Sequence, residues 1–218
     1  MPNKFDLIVW DWDGTLADST GMIANAVRTA AEKVGLPAIT LQTASSIIGL
    51  GLQEAISTLY GNISNEQAQA LAAQYRVNYY AGANEIPLFA GAVETIIALN
   101  NQGVKLAVAT GKGRRGLNLA LESSGLGPHF QATRTVDECF SKPHPQMLHE
   151  LMTDLDVLPE RTLMIGDTSY DLQMAQNAGV RAVGVTYGAQ QSEQWQHLNP
   201  IQQFNDFSSL GKWLLAPA

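Results

Sequence analysis

Four short apolar runs, each ending at a small or polar residue, constrain the fold of this chain most strongly. They occupy residues 7–10, 105–109, 163–165 and 182–185, and a weaker run lies near 131–134. Runs of this kind are typical of buried parallel strands. Helical periodicity separates them, with Gly103 and Gly179 as helix stops. This alternation predicts an α/β fold: a doubly wound parallel sheet with a Rossmann-like core.

The segment from about 19 to 80 interrupts the alternation. Apolar side chains recur there at helical spacing, first at Met22, Ile23, Ala26, Val27, Ala30 and Val34, and later at Ala68, Leu71, Ala72, Tyr75 and Tyr79. Four helices in a row cannot all serve one crossover connection. We therefore expect an inserted all-helical cap domain at 19–83, with 1–18 and 84–218 forming the α/β core domain. The alternative is that these helices pack on a face of the sheet.

Composition and charge exclude several classes of protein. The net charge is −7 over 218 residues, without a stripe of Lys and Arg, which argues against a nucleic-acid partner. No apolar stretch approaches the roughly 20 residues that a membrane span requires. With no visible export signal, the expected location is cytoplasmic, without a membrane partner. The single cysteine, Cys139, cannot form an internal disulfide and is expected to be a packed thiol.

Polar residues follow the apolar runs at the places where an open α/β sheet binds its ligands, outside the carboxyl ends of the strands. They form three groups, Asp11-Trp12-Asp13-Gly14-Thr15, Thr110-Gly111-Lys112 and Gly166-Asp167-Thr168-Ser169-Tyr170-Asp171, while Lys142 precedes another helix. A helix N-cap explains Asp18, Ser19 or Thr168 taken singly. It does not explain the set, because Asp11 and Asp13 repel each other and require a counter-charge.

Clustered carboxylates without cysteine or histidine suit a hard cation, and Mg²⁺ prefers such oxygen ligands. Thr110 and Lys142 can hold phosphate oxygens at the same edge of the sheet. A carboxylate can also act as a nucleophile and form an aspartyl-phosphate. The residues therefore predict a site for a phosphoryl group.

The four groups together resemble the motifs of the haloacid-dehalogenase-like hydrolase superfamily. The stretch from Asp11 to Leu16, DWDGTL, matches the first motif, DxDGT, and Thr110 stands at the second. Lys142 stands at the third motif, and GDTSYD at 166–171 matches the fourth, GDxxxD. The order and spacing agree over nearly the whole chain. The helical insert resembles the cap of the subgroup that contains phosphoglycolate phosphatases and β-phosphoglucomutases.

The resemblance implies roles for the acidic residues. Asp11 would be the nucleophile, and Asp13 the acid that protonates the leaving oxygen and then activates water. Mg²⁺ would bind the Asp11 carboxylate, the backbone carbonyl of Asp13, and Asp167. Asp171 would support the metal site from outside or through water. The presence of Asp13 also argues against the true dehalogenases, which lack it and need no metal.

The resemblance further implies that Thr110, the Gly111 amide and Lys142 hold the phosphate. Gly111 departs from the pattern, because many relatives have Asn there. Lys112, Arg114 and Arg115 either contact an anionic part of the substrate or form a solvated helix start. The glycines of 48–52 either allow a close backbone approach to the site or only separate two helices.

The predicted function is that of a magnesium-dependent phosphatase acting on a small phosphomonoester such as 2-phosphoglycolate. The expected partner is thus a small phosphorylated metabolite. One alternative is a sugar phosphomutase of the β-phosphoglucomutase kind, and another is a non-catalytic protein that senses a phosphorylated ligand. The intact set of Asp11, Asp13, Lys142 and Asp167 argues against mere sensing, which needs no nucleophile.

Overall fold

The computed structural model describes residues 5–82 and 86–216 and centres on a six-stranded parallel sheet. In chain order the strands are β1 Leu7–Trp10, β2 Lys105–Thr110, β3 Ala132–Thr135, β4 Thr162–Gly166, β5 Arg181–Val185 and β6 Gln202–Phe204. Their order across the sheet is β3-β2-β1-β4-β5-β6, and every neighbouring pair is parallel. The strand order reverses beside β1, which confirms the predicted doubly wound topology.

The helices are α1 Thr20–Lys33, α2 Leu41–Ser45, α3 Leu52–Tyr60, α4 Asn65–Gly82, α5 Ala92–Asn101, α6 Arg114–Ser124, α7 Gln146–Asp154, α8 Ser169–Asn177 and α9 Phe207–Leu215. Successive residues of β1 face opposite sides of the sheet. Ile8 and Trp10 pack in one cluster with residues of α5, α6 and α9. Leu7 and Val9 pack in a second cluster with residues of α7 and α8. The sheet is thus covered by helices on both faces.

Helices α1 to α4, here called the cap helices, follow one another between β1 and α5, and the described residues of this span contain no strand. They enclose an apolar cluster of their own, whose buried members are Ala30, Ala31, Leu36, Ile56, Leu71 and Ala72. This separate cluster favours the insertion over helices packed directly on the sheet. The predicted boundary at 83–84 lies outside the described residues, so the division of the chain into two domains stays a prediction.

One strand, β6, is missing from the sequence prediction. It contains Gln202, Gln203 and Phe204, and the two glutamines are exposed. Among the strands in the described residues, β6 pairs only with β5, at the edge of the sheet. An edge strand has one neighbour and little cover, so it needs no apolar run. The apolar pattern on which the other strands were predicted is therefore absent here.

Two further expectations concern Cys139 and membrane helices. Cys139 is a free, buried cysteine whose Sγ lies 3.6 Å from a carboxylate oxygen of Glu150. Burial and this carboxylate raise the pKa of the Cys139 thiol to about 11, so it remains protonated and unreactive at neutral pH. Of the helices in the described ranges, none has the length and apolar character needed to cross a membrane.

Candidate active site

Three site residues lie at the carboxyl ends of the central strands. Asp11 directly follows β1, Thr110 is the last residue of β2, and Asp167 directly follows β4. Because β2 and β4 both pair with β1, these ends lie side by side at one edge of the sheet. All three side chains are buried. The sheet therefore brings these residues together as the sequence predicts.

Lys142 joins two of the carboxylates. Its Nζ donates to Asp11 Oδ1 at 2.6 Å and to Asp171 Oδ1 at 2.6 Å, and the three side chains have almost no exposed surface. Burial raises the pKa of Asp11 to about 7, against the opposing effect of Lys142. Burial alone would lower the pKa of Lys142, but Asp11 and Asp171 hold it above its usual value. The lysine therefore stays charged beside the predicted nucleophile.

The acidic cluster fits a divalent cation. Asp11, Asp167 and Asp171 each offer a carboxylate oxygen, and these oxygens lie within 4.8 Å of one another. In the described part of the chain, Asp11 Oδ2 is buried without a hydrogen-bond partner. Burial and the neighbouring carboxylates also raise the pKa of Asp167 well above its usual value. An all-oxygen donor set with excess negative charge matches the preference of Mg²⁺.

Asp167 is fixed by its own contacts. The Thr15 hydroxyl donates to its Oδ1 at 3.1 Å, and the Ala189 amide donates to its Oδ2 at 2.6 Å. Gly14 has φ +80°, and a Cβ at that position would lie 2.2 Å from Asp167 Oδ2. The glycine of the DxDGT motif is therefore required twice, for its left-handed backbone and for the space that Asp167 occupies.

Asp171 is held from both sides by protein donors. The amide and the hydroxyl of Thr168 donate to its Oδ2 at 3.1 and 2.7 Å, while Lys142 occupies Oδ1. Through these contacts Asp171 orients Lys142 and adds negative charge beside Asp11 and Asp167. This fits its expected role in supporting the metal site. Its part in metal binding stays a prediction.

Asp13 has two partners that the sequence interpretation missed. Its Oδ1 accepts a hydrogen bond from the Ser19 hydroxyl at 2.6 Å and lies 2.9 Å from Lys112 Nζ. Ser19 was explained as a helix N-cap, but its side chain makes no capping bond to α1. The signal available in the sequence was its place at the start of the helix that follows Asp13. The Ser19 hydroxyl instead donates to Asp13, the predicted general acid and base.

Lys112 is not exposed to solvent, although a solvated position at the start of a helix is one of the two expectations for it. It is buried, and its Nζ donates to the Tyr79 hydroxyl at 2.5 Å while also lying 4.7 Å from the centre of the Tyr79 ring. Burial alone would lower the pKa of Lys112, but Asp13 raises it above its usual value. Since Tyr79 belongs to α4, Lys112 links a cap helix to Asp13.

Arg114 and His144 lie outside the cavity described below, whereas Arg115 lines it, so a contact of Arg115 with an anionic part of the substrate stays a prediction. Arg114 pairs with Glu138 at 2.7 Å and so faces β3 and its following turn. Arg115 is exposed, and its guanidinium packs over the Tyr80 ring at 4.7 Å. His144 packs against Phe140 instead of lining the site.

The cap helices and their connecting loop also approach the core closely at Gly111. A Cβ at Gly111 would lie 2.6 Å from the Gly49 carbonyl oxygen and 2.7 Å from that of Leu50. Gly49 itself has φ +99°, and a Cβ there would lie 3.0 Å from Thr168 Oγ1. The Gly51 amide donates to Ser141 Oγ at 2.8 Å. Two roles are expected for the cap glycines, a close backbone approach to the site or the separation of two helices. At Gly49 the structure shows the close approach.

A cavity of about 390 Å³ lies between this edge of the sheet and the cap helices. Its floor contains Asp11, Asp13, Thr110 and Lys112, and α1, α3 and α4 contribute to its roof. A compound placed there contacts both the predicted nucleophile and the cap. The cavity is therefore the candidate substrate site.

A parallel α/β sheet whose strand ends bring a lysine and several buried carboxylates together is typical of hydrolases of the phosphoryl-transfer class. Comparison with known proteins specifies the family. The sequence pattern of the haloacid dehalogenase-like hydrolases matches residues 8–185. The chain belongs to this family, and it is a phosphatase, a hydrolase acting on phosphate esters.

The individual similarities extend over almost the whole chain. It is 32% identical over 209 residues to the probable phosphatase IndB of Dickeya dadantii, covering 94% of this chain and 91% of that protein. It is 31% identical over 225 residues to a phosphoglycolate phosphatase of Aliivibrio fischeri, covering 99% and 97%. A crystal structure described as a predicted phosphoglycolate phosphatase from Haemophilus somnus aligns with a TM-score of 0.87 at 26% identity, covering 96% and 98%.

Proposed function

We propose that this phosphatase hydrolyses a small phosphomonoester with the help of Mg²⁺, through an aspartyl-phosphate on Asp11. The observation that supports this most directly is the asymmetry of the Asp11 carboxylate. Its Oδ1 is held by Lys142, whereas Oδ2 is buried without a partner in the described part of the chain. A carboxylate oriented through one oxygen can use the other to bind a cation or attack phosphorus.

In the first step an Asp11 oxygen bonds to phosphorus while the bond from phosphorus to the leaving oxygen breaks. Thr110, the Gly111 amide and Lys142 hold the phosphoryl oxygens, and Lys142 offsets the charge that develops on them. Asp11, Asp167 and the backbone carbonyl of Asp13 would hold Mg²⁺, with Asp171 in support. When bound, Mg²⁺ supplies positive charge beside the transferring group.

Asp13 moves the proton in both steps. It donates a proton to the leaving oxygen and later accepts one from the water that cleaves the aspartyl-phosphate, releasing inorganic phosphate. Ser19 and Lys112 fix the position of its carboxylate. Proton transfer needs such positioning within hydrogen-bond reach.

The relatives named phosphoglycolate phosphatase make 2-phosphoglycolate the first candidate substrate. A similarity to β-phosphoglucomutase of Clostridium difficile, with a TM-score of 0.81 at 21% identity, shows the shared fold alone. A phosphomutase would return the phosphoryl group to a sugar instead of water. Conversion of a sugar 1-phosphate to its 6-phosphate without phosphate release would identify that alternative.

The metal requirement is tested by phosphate release from a panel of phosphomonoesters. We expect activity with Mg²⁺, loss of activity with excess chelator, and recovery when Mg²⁺ is restored in excess. Ca²⁺ should support turnover poorly, because its larger and looser coordination shell misplaces the nucleophile. Full activity in excess chelator would contradict the proposed site.

We further propose that residues 19–83 act as a cap that closes over the substrate. The contacts of Gly111 with the backbone of 49–50 and of Lys112 with Tyr79 support this division. The cytoplasmic location stays a prediction.

A further inference from the structure

The roof of the cavity is largely apolar. Side chains of the cap helices and of the loop before α3 line it, among them Ile23, Val27, Ile48, Ile56, Tyr75 and Tyr79. These residues come from three helices and one loop, so the apolar surface continues around the cavity. A cap that only had to cover a small acid would not need such a surface, because apolar walls stabilise apolar parts of a ligand.

The cavity offers little to a second negative charge on the substrate. Among the described residues that line it, the buried cation is Lys112, which already pairs with Asp13 and donates to Tyr79. Arg76 and Arg115 also line the cavity, but both are exposed to solvent. The cations left for a substrate carboxylate are thus solvent-exposed, and an ion pair with such a side chain contributes little free energy.

The size of the cavity also exceeds what a two-carbon acid fills. Its volume of about 390 Å³ lies within the range of roughly 300–1,000 Å³ that is typical of sites for drug-sized ligands. The phosphoryl group occupies the floor, beside Asp11. The remaining space lies against the apolar roof.

We propose that the cavity selects phosphomonoesters whose alcohol has an uncharged, apolar body of about the size of an aromatic ring. This inference rests on the proposed phosphatase function and narrows its substrate class away from 2-phosphoglycolate. In a fitted apolar pocket each additional methylene is worth about tenfold or more in kcat/KM. The tyrosine rings of the roof also favour contact with a flat ring.

The test compares kcat/KM of the full chain with Mg²⁺ for three esters of primary alcohols. These are 2-phenylethyl phosphate, which is apolar, 2-phosphoglycolate, which is small and charged, and glucose 6-phosphate, which is large and polar. We expect the first to exceed each of the others by about tenfold or more. A preference for 2-phosphoglycolate or for glucose 6-phosphate would overturn the inference while leaving the phosphatase function intact. Absence of phosphate release from all three would instead reject the proposed function, and the inference with it.

A variant that partly fills the cavity tests whether the selectivity for apolar esters arises there. Ala55 is buried and lines the cavity, whereas Ala73 is exposed on α4 and does not line it. Ala55→Leu should reduce the ratio of kcat/KM for 2-phenylethyl phosphate to that for 2-phosphoglycolate by about tenfold. The matched control Ala73→Leu should keep the wild-type ratio. An unchanged ratio in a folded Ala55→Leu would place the apolar selectivity elsewhere and contradict the proposal.

A second variant covers the case in which Ala55→Leu does not fold. Val27→Thr nearly preserves the shape of the side chain but places a hydroxyl on the cavity wall. It should lower the same ratio by several-fold, and circular dichroism verifies that the helices are intact. A ratio that remains at the wild-type value would overturn the apolar wall as the source of selectivity.

Discussion

The floor and the roof of the cavity differ in the way their residues are held. The floor residues Asp11 and Asp13 each pair with a buried cation, Asp11 with Lys142 and Asp13 with Lys112. On the roof, aliphatic side chains such as Ile23 and Ile48 pack in an apolar cluster with Tyr79, which also contacts the charged Lys112. Charge pairs demand defined geometry, whereas apolar packing tolerates exchange of similar volumes.

This difference separates the reaction from the choice of substrate. The floor residues Asp11, Asp13 and Thr110 belong to motifs of fixed spacing, and in the proposed mechanism they act on the same phosphoryl group. Lys112 lies outside these motifs. The roof residues satisfy only a helical apolar pattern, which many side chains fulfil. The chemistry of such a chain is therefore marked in its sequence, while specificity depends on a surface that no motif describes.

The largest expected effect is on the floor, at the nucleophile. Asp11→Asn keeps the shape of the side chain but removes the attacking charge, so kcat should fall by about 10⁴-fold or more with the fold intact. Steady-state phosphate release measures the change. The matched control Asp18→Asn, at an exposed position, should retain activity. Near-normal turnover in a folded Asp11→Asn variant would remove Asp11 from the mechanism.

The next effect concerns Asp13. Asp13→Asn should slow turnover of alkyl phosphates by about 10²–10⁴-fold, because the leaving oxygen receives no proton. With an activated aryl phosphate, whose leaving group needs no proton, the first step should recover partly. Dephosphorylation should stay slow, so phosphoenzyme on Asp11 should accumulate as a burst.

Rapid-quench measurement followed by mass spectrometry of the labelled peptide detects that burst. The same Asp18→Asn control should show wild-type kinetics with both substrates. Wild-type turnover of both substrate types by Asp13→Asn would show that Asp13 is neither the acid nor the base.

A smaller effect is expected where the floor meets the cap. Gly111→Asn introduces a Cβ that would collide with the carbonyl oxygens of Gly49 and Leu50. We expect kcat/KM to fall by about tenfold, because a displaced cap misplaces the substrate. The control Gly103→Asn lies at a turn with open space and φ +80°. Unchanged kcat/KM in Gly111→Asn would show that the cap does not need this close contact.

The smallest effect should come from the hydroxyl that joins the roof to the floor. Tyr79→Phe keeps the ring beside Lys112 but removes the hydrogen bond to its Nζ. Since Lys112 keeps its pairing with Asp13, kcat/KM should fall only about two- to fivefold, the equivalent of roughly 0.5–1 kcal/mol. Tyr60→Phe removes a cap hydroxyl that bonds the Pro37 carbonyl and serves as control. A loss of a hundredfold or more would give Tyr79 a direct part in the reaction.

The sheet and its strand ends could be predicted because buried strands leave continuous apolar runs. The run before Asp11 and the one before Asp167 placed both residues at the same edge without any coordinates. Lys112 and Ser19 could not be identified in this way. Their contacts with Asp13 depend on the backbone turn after β2 and on the angle at which α1 leaves the core, and neither is a property of local sequence.

The roof of the cavity also shows where prediction from local sequence ends. The spacing of Tyr75 and Tyr79 predicts a helix and an apolar face, and both are present in α4. It does not tell whether that face covers the cap's own cluster or a ligand. Tyr79 contacts both Lys112 and the cap residues Ile23 and Ile48, a division that only the packing of several helices determines.

Ser19 has a consequence for protein engineering. It is the residue directly before α1, and its hydroxyl donates to Asp13, so the connection into the cap helices also contributes to the proposed reaction centre. A chimera that exchanged the insert with a joint between 18 and 19 would bring in a foreign residue at this place. A joint after Ser19 would retain the hydroxyl, and the donor insert would still have to provide a partner for Lys112. Modular exchange of specificity in this chain is thus constrained at its first junction.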